Sequence, residues 1–181
     1  MDRWTLAVCL LMMVVGIVLI MAASPAVADR IGLRSFHFVW RQMLFLIPAL
    51  IILFGVSLLP VVWVRRIAVV GFLMSLILLV STLLGGESIK GARRWIDFGG
   101  LLLQPSEFAK PTFAVFAAWM LSHRVTQPGF PGYTLASVAA LILLGLLLIQ
   151  PDVGMTLVVA TVWVTQMFLA GIPMAAVAVI A

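Results

Sequence analysis

Charge is missing from most of this chain, and that absence fixes what it can become. The runs Trp4–Val27, Met43–Val64, Ile67–Leu84 and Tyr133–Ile149 contain no Asp, Glu, Lys or Arg. The first would span about 36 Å as a helix at 1.5 Å per residue. Segments this long and apolar are solvated by lipid. In lipid every backbone amide must find its partner within the segment, so helices follow. Apolar residues make up 65% of the sequence and charged residues 9%, against about 25% charged in a soluble domain. The mean hydropathy is +1.28. These values predict an all-α, polytopic transmembrane bundle forming a single membrane domain over 1–181.

The breaks between apolar runs give six spans and the start of a seventh. Span one, Trp4–Val27, is too long for the h-region of a cleaved signal, about 7–15 residues, and should stay in the membrane. Asp29-Arg30 ends it. The loop 28–42 interleaves Arg30, Arg34 and Arg41 with Phe36, Phe38 and Trp40, a mixture suited to the membrane–water interface. His37 has no ligand spaced near it and reads as interfacial. Span two, Met43–Val64, contains Pro48 and Pro60 and is closed by Arg65-Arg66. Span three is Ile67–Leu84, broken by Gly85-Gly86. Span four, Pro105–Leu121, starts at Gln104-Pro105-Ser106-Glu107, with Pro at the first helical position and Glu107 in the first turn, where the helix dipole favours an anion. A polar loop follows over 122–132. Span five is Tyr133–Ile149. Span six is Pro151–Ala170, and its Gln150-Pro151-Asp152 opening looks like a second copy of the span-four start. The run Met174–Ala181 is too short to cross, so the chain reads as an N-terminal fragment. Cys9 lies in span one and reads as packing.

One stretch cannot be lipid-solvated. Between Lys90 and Lys110 lie Arg93, Arg94, Asp97 and Glu107, and charge beside hydrocarbon is costly unless it serves a purpose. Lys110 follows Glu107 by three residues, on the same helix face, which predicts an ion pair. Asp152 has no cation in its own helix. It must find one elsewhere, with Lys110 the nearest candidate, or stay at the interface, or bind a proton or a metal ion. Asp97 reads as a solvated loop acid and His123, beside Arg124, as ordinary. Helix parity puts the starts of spans four and six, the 87–103 loop and the 28–42 loop on one side of the membrane. The net charge of +5 points to anionic head groups or a lipid-linked phosphate rather than nucleic acid.

The motif G-A-R-R-W-I-D-F-G (Gly91–Gly99) with L-Q-P-S-E-F-A-K (Leu103–Lys110) resembles the SEDS family of bacterial membrane glycosyltransferases, which includes the FtsW and RodA proteins. Q-P-D-V-G (Gln150–Gly154) and F-L-A-G-I-P (Phe168–Pro173) form a second matching block in the same order. The early A-A-S-P-A-V-A and F-x-x-R-Q resemble the division branch more than the elongation branch. The resemblance implies about ten helices and polymerisation of lipid II, the undecaprenyl-pyrophosphate-linked precursor, into peptidoglycan. It implies a class B penicillin-binding protein and other division proteins as partners. The place implied is the bacterial inner membrane at the division septum. The family's proposed catalytic aspartate lies after span seven, so no catalytic residue is assigned here and the fragment alone should be inactive. No metal ligand is assigned; a divalent cation, Mg or Mn, stays open for the full-length family member.

Transfer from a pyrophosphate needs a base for the attacking hydroxyl and cations for the leaving phosphates. Arg93 and Arg94 suit the second task, because guanidinium groups grip phosphate oxygens in bidentate fashion; their alternative is anchoring a loop to head groups. Trp95 reads as an interface belt residue before a sugar platform. With Gln104, Ser106, Glu107, Lys110, Gln150 and Asp152 they make the substrate-binding set that the resemblance implies. A lipid-precursor flippase or transporter, or a division scaffold, stays open, since intramembrane charges and proline-broken helices suit transport too. Orientation conflicts. Arg30, Arg34, Arg41, Lys90, Arg93 and Arg94 outnumber Arg3, Arg65, Arg66 and Arg124, which by the positive-inside rule puts the motif face in the cytoplasm. The resemblance implies the opposite, with the N-terminus inside and the motif face outside.

Overall fold

A computed structural model describes residues 3–30, 32, 36–85, 87–89, 92–97, 102–127 and 129–172. In chain order they form α1 (Arg3–Arg30), α2 (His37–Leu58), α3 (Val61–Gly85), β1 (Glu87–Ile89), β2 (Ala92–Asp97), β3 (Leu102–Leu103), α4 (Pro105–Thr126), α5 (Gly132–Ile149) and α6 (Val153–Leu169). The expected helical bundle is present, with a small sheet added to it. The expected start of a seventh helix lies outside the described residues. The chain divides into two compact units, Met1–Pro60 and Val61–Ala181.

The first unit is α1 and α2. Their apolar windows have no buried residues, as lipid-solvated helices require. The 28–42 loop is shorter than expected, because α1 continues to Arg30 and α2 already begins at His37. His37 is exposed and meets Phe38 edge-on at 5.4 Å between ring centroids. Arg41 lies over the Phe45 ring at 5.9 Å. Both fit the interfacial reading. The main correction falls at the end of α2. Span two was expected to reach Val64 and stop at Arg65-Arg66, but α2 stops at Leu58. Pro60 is the reason. Proline has no N–H to give the helix, and its ring pushes the preceding residue out of the helical region. Leu59 is accordingly extended, with φ −74° and ψ 138°.

In the second unit α3 therefore starts at Val61 and carries Arg65 and Arg66 in its first two turns. Near a helix end their stems lie along apolar surface while the charges reach outward. Arg66 also sits 5.3 Å from the Trp63 ring. Beyond Gly85 the expected loop is a three-stranded antiparallel sheet in the order β1-β2-β3. Ser88 pairs with Arg93 and Ile89 with Ala92, with a bulge between Glu87 and Ser88. Ile96 pairs with Leu103 and Asp97 with Leu102. Trp95 and Ile96 are the aromatic and β-branched residues that favour strands.

Helix α4 is the hub, packing on α3, α5 and α6. Phe113, Ala109 and Ala117 on α4 meet Phe72 and Leu79 on α3, Ala136, Ala140 and Leu143 on α5, and Trp163 and Met167 on α6. Phe72 stacks on Phe116 at 5.4 Å. The alanines matter because helices in lipid associate by close packing, which small residues allow. Residues 122–126, expected as loop, extend α4 to Thr126. They contain no Gly or Pro, so nothing stops the helix until Gln127, which precedes Pro128 and is extended. At this end His123 packs edge-on against Phe130 at 4.9 Å, and the Tyr133 hydroxyl donates to the Ala170 carbonyl at 2.8 Å.

Among the described residues four helices, α1, α2, α3 and α5, are long and apolar enough to cross a membrane by length and composition. Helix α6 is apolar but 17 residues long, or roughly 26 Å. Helix α4 has 22 residues and carries Glu107 and Arg124 in its terminal turns. Gly132 tests the α4–α5 packing. A Cβ there would stand 2.2 Å from the Met120 carbonyl oxygen, whereas Gly145 has nothing within 4 Å. Gly132→Ala should destabilise the protein in detergent by about 1–3 kcal/mol, the usual range for overpacking, and Gly145→Ala should not. Equal unfolding temperatures for the two variants would refute this packing.

Candidate functional site

Two helices start at the same end of the second unit and start differently, although both follow a Gln-Pro pair. In α4, Gln104 is the N-cap with no side-chain capping bond, and Pro105 opens the helix. In α6, Asp152 is the N-cap, and its carboxylate accepts the Met155 N–H at 3.3 Å. Gln150 instead closes α5. The expected start of span six at Pro151 is thus corrected to Val153. Asp is among the best N-cap residues, because its carboxylate satisfies amides that the helix leaves unpaired; Gln is not among them. The α5–α6 corner is closed by the Asp152 N–H donating to the Leu147 carbonyl at 2.9 Å.

Asp152 is 6% exposed, so its charge must be answered locally. Its cation is Arg94 on β2, at 3.6 Å between Nη1 and Oδ2, and not the expected Lys110. Gln104 Nε2 makes a long contact of 3.5 Å to the same oxygen. Arg94 also donates from Nε to the Gln150 carbonyl at 3.1 Å and from Nη2 to the Pro151 carbonyl. All three guanidinium nitrogens are therefore engaged with one corner of the fold. Gln150, expected to meet substrate, is 2% exposed. Its side-chain amide donates to Thr82 Oγ1 and to the Leu79 carbonyl on α3. Thr82 and Leu79 sit inside an apolar run with no motif around them, so nothing in the sequence singled them out.

The expected Glu107–Lys110 pair is present at 2.8 Å, with side-chain exposures of 50% and 23%. Lys110 Nζ also reaches Met155 Sδ at 3.1 Å. Lys110 thus lies between α4 and the first turn of α6. A thioether is a weak acceptor, so that contact leaves the ammonium short of strong partners. Ser106 is 1% exposed, and its hydroxyl has no hydrogen-bond partner among the described residues. Trp95 is half-buried and Asp97 is exposed on β2. The backbone of Arg93 belongs to β2; its side chain lies outside the described residues. Of the predicted set, Arg94, Gln104, Gln150 and Asp152 form one connected network, and Glu107 and Lys110 form a second beside it. Among the described residues no three His, Cys, Asp or Glu side chains converge. Asp152 is served by a guanidinium.

Residues 2–181 match the model of a family described as "Cell cycle protein", comprising FtsW, RodA and SpoVE. This chain belongs to that family. It is 36% identical over 173 residues to "Probable peptidoglycan glycosyltransferase FtsW" of Caulobacter vibrioides, covering 95% of this chain and 44% of the relative. It is 38% identical over 175 residues to the protein of the same name from Trichlorobacter lovleyi, covering 90% and 45%. Among solved structures, the rod shape determining protein RodA of Thermus thermophilus is similar with a TM-score of 0.68 and 32% identity, covering 91% of this chain and 56% of that one. A chain from a peptidoglycan synthase complex, described as coordinating polymerization and crosslinking, is similar with a TM-score of 0.66 and 32% identity, covering 91% and 49%. The chain thus spans about half the length of these relatives. The multi-pass helical membrane architecture, the family and the FtsW resemblance agree with the reading of the motifs.

The half-exposed Glu107 limits what its ion pair contributes, since exposed pairs are worth about 0.2–1 kcal/mol. A thermal-unfolding cycle of Glu107→Gln, Lys110→Met and the double variant should give a coupling of about that size. Strict additivity would mean that the two charges do not meet.

Proposed function

We propose that this chain is part of a lipid II-polymerising peptidoglycan glycosyltransferase of bacterial division. It would work in the inner membrane at the septum, with a class B penicillin-binding protein that cross-links its product. What carries the reading is the cluster of Glu107 and Lys110 beside the α6 N-terminus, in a chain whose relatives bear the name of this activity. In the reaction a sugar hydroxyl attacks the anomeric carbon and loses its proton to a base, while the bond to the pyrophosphate breaks. We assign no base to the described residues. Their task is to receive the anionic leaving group.

Lys110 is the cation suited to that task. An ammonium has three donors, and here one faces Glu107 and one faces the Met155 sulfur. The remaining donor can meet a phosphate oxygen, and a phosphate can displace the weak sulfur contact. Glu107 holds the ammonium in place until substrate arrives. Trp95 and Gln104 complete the proposed binding set at this end, while Ser106, Gln150 and Asp152 are buried and support it from within the fold. The two compact units act together as one membrane domain.

Two experiments test this reading. In the full-length protein with its partner, Lys110→Met should lower glycan output from labelled lipid II by roughly 100-fold, the scale of losing one charge-stabilising donor. Undiminished polymer on a gel would remove Lys110 from the reaction. For orientation, the sheet end faces outward and the 122–132 end faces the cytoplasm. In a Cys9→Ser background, an impermeant maleimide should label cysteine at Ser88 in intact cells and spare cysteine at Thr126. Labelling of Thr126 in place of Ser88 would invert the proposed topology.

A further inference from the structure

We infer that Arg94 is a positioning residue, a latch that fixes the β-sheet to the α5–α6 corner, and that it does not bind the substrate's phosphates. A phosphate-binding guanidinium keeps a free fork of donors. Each nitrogen of Arg94 faces a partner in the fold: Nε donates to the Gln150 carbonyl, Nη2 donates to the Pro151 carbonyl, and Nη1 forms an ion pair with the Asp152 carboxylate at 3.6 Å. The two carbonyls lie at the C-terminal end of α5, where the helix dipole attracts a cation. The carboxylate is 6% exposed, so releasing Arg94 to a ligand would strand a buried anion.

The partners of the latch are themselves fixed. Asp152 caps α6 through the Met155 N–H. Gln150 holds α3 through Thr82 and Leu79. On the sheet side, β2 pairs with β3, and β3 runs into Gln104 at the start of α4. One guanidinium thereby ties the strand between β1 and β3 to α3, α5 and α6 at once. It holds the sheet at the end of the bundle where Lys110 meets Met155.

The test is a rescue. Arg94→Gln and Asp152→Asn are each made in the full-length protein and then combined. Each single change leaves an unmatched partner and should lower the unfolding temperature by about 5 °C or more. The double variant should recover most of that loss, since Gln at 94 can donate to the corner carbonyls and Asn at 152 can still cap α6. The activity arm rests on the glycosyltransferase reading and should follow stability: glycan output falls in both single variants and returns to within about threefold in the double. Stability that recovers without activity would overturn the inference, because it would make the charge at Arg94 necessary for substrate. Additive losses, or no loss from either single change, would overturn it too. If the unaltered protein makes no polymer, the glycosyltransferase reading fails, and the thermal cycle still decides whether Arg94 is a latch.

Discussion

A carboxylate buried at the end of a membrane bundle is the constraint on which the rest of the second unit depends. Desolvating an ion costs several kcal/mol unless charge and hydrogen bonds replace the lost water. Asp152 is answered from three directions: the Met155 amide, the Gln104 side chain and the Arg94 guanidinium. Each answer comes from a different place in the chain. Burying this acid therefore fixes the start of α6, the start of α4 and the position of β2 relative to both. The apolar core of α3–α6 sets which helices touch. The acid sets how they are aligned at the end where charge collects.

Much of the fold was legible because lipid leaves a chain few options. Apolar runs became helices, and breakers ended them where backbone chemistry demanded. The errors came from ranking breakers wrongly. Arg65-Arg66 was read as the end of a span because charges usually mark the interface. Pro60 ended it instead, since a missing N–H interrupts a helix outright while a long cationic side chain can reach outward from inside one. The polar run 122–126 was read as loop on composition, yet nothing in it opposes helix, and α4 continues to Thr126. The strands β1, β2 and β3 are not legible in the sequence because they are short and carry no alternating apolar face.

The site was legible as a set of residues and not as a set of contacts. Glu107 and Lys110 could be paired from spacing alone, because a helix puts such residues on one face. Arg94 and Asp152 lie one position further apart than the 57 that separate Arg94 from Pro151, and no local period relates them. The two Gln-Pro pairs misled for a related reason. They look alike in sequence, but the acid follows proline directly in one and after Ser106 in the other. That single residue decides whether the acid caps its helix or stands inside the first turn.

The two cations at this end differ in a way that matches the work assigned to them. A guanidinium is planar and presents donors in a fixed fork, so Arg94 can serve two carbonyls and a carboxylate together. A lysine ammonium is a compact charge on a flexible stem, and Lys110 has one acid and one weak sulfur as neighbours. The first arrangement turns every nitrogen toward one corner of the fold, which suits holding a sheet in place. The second is unsaturated and adjustable, which suits a phosphate that arrives, gains charge as its bond breaks, and leaves. Replacing Arg94 by lysine would weaken the corner, since an ammonium lacks the planar fork that serves its three acceptors. On the proposed reading, the chain separates the cation that builds the site from the cation that works in it.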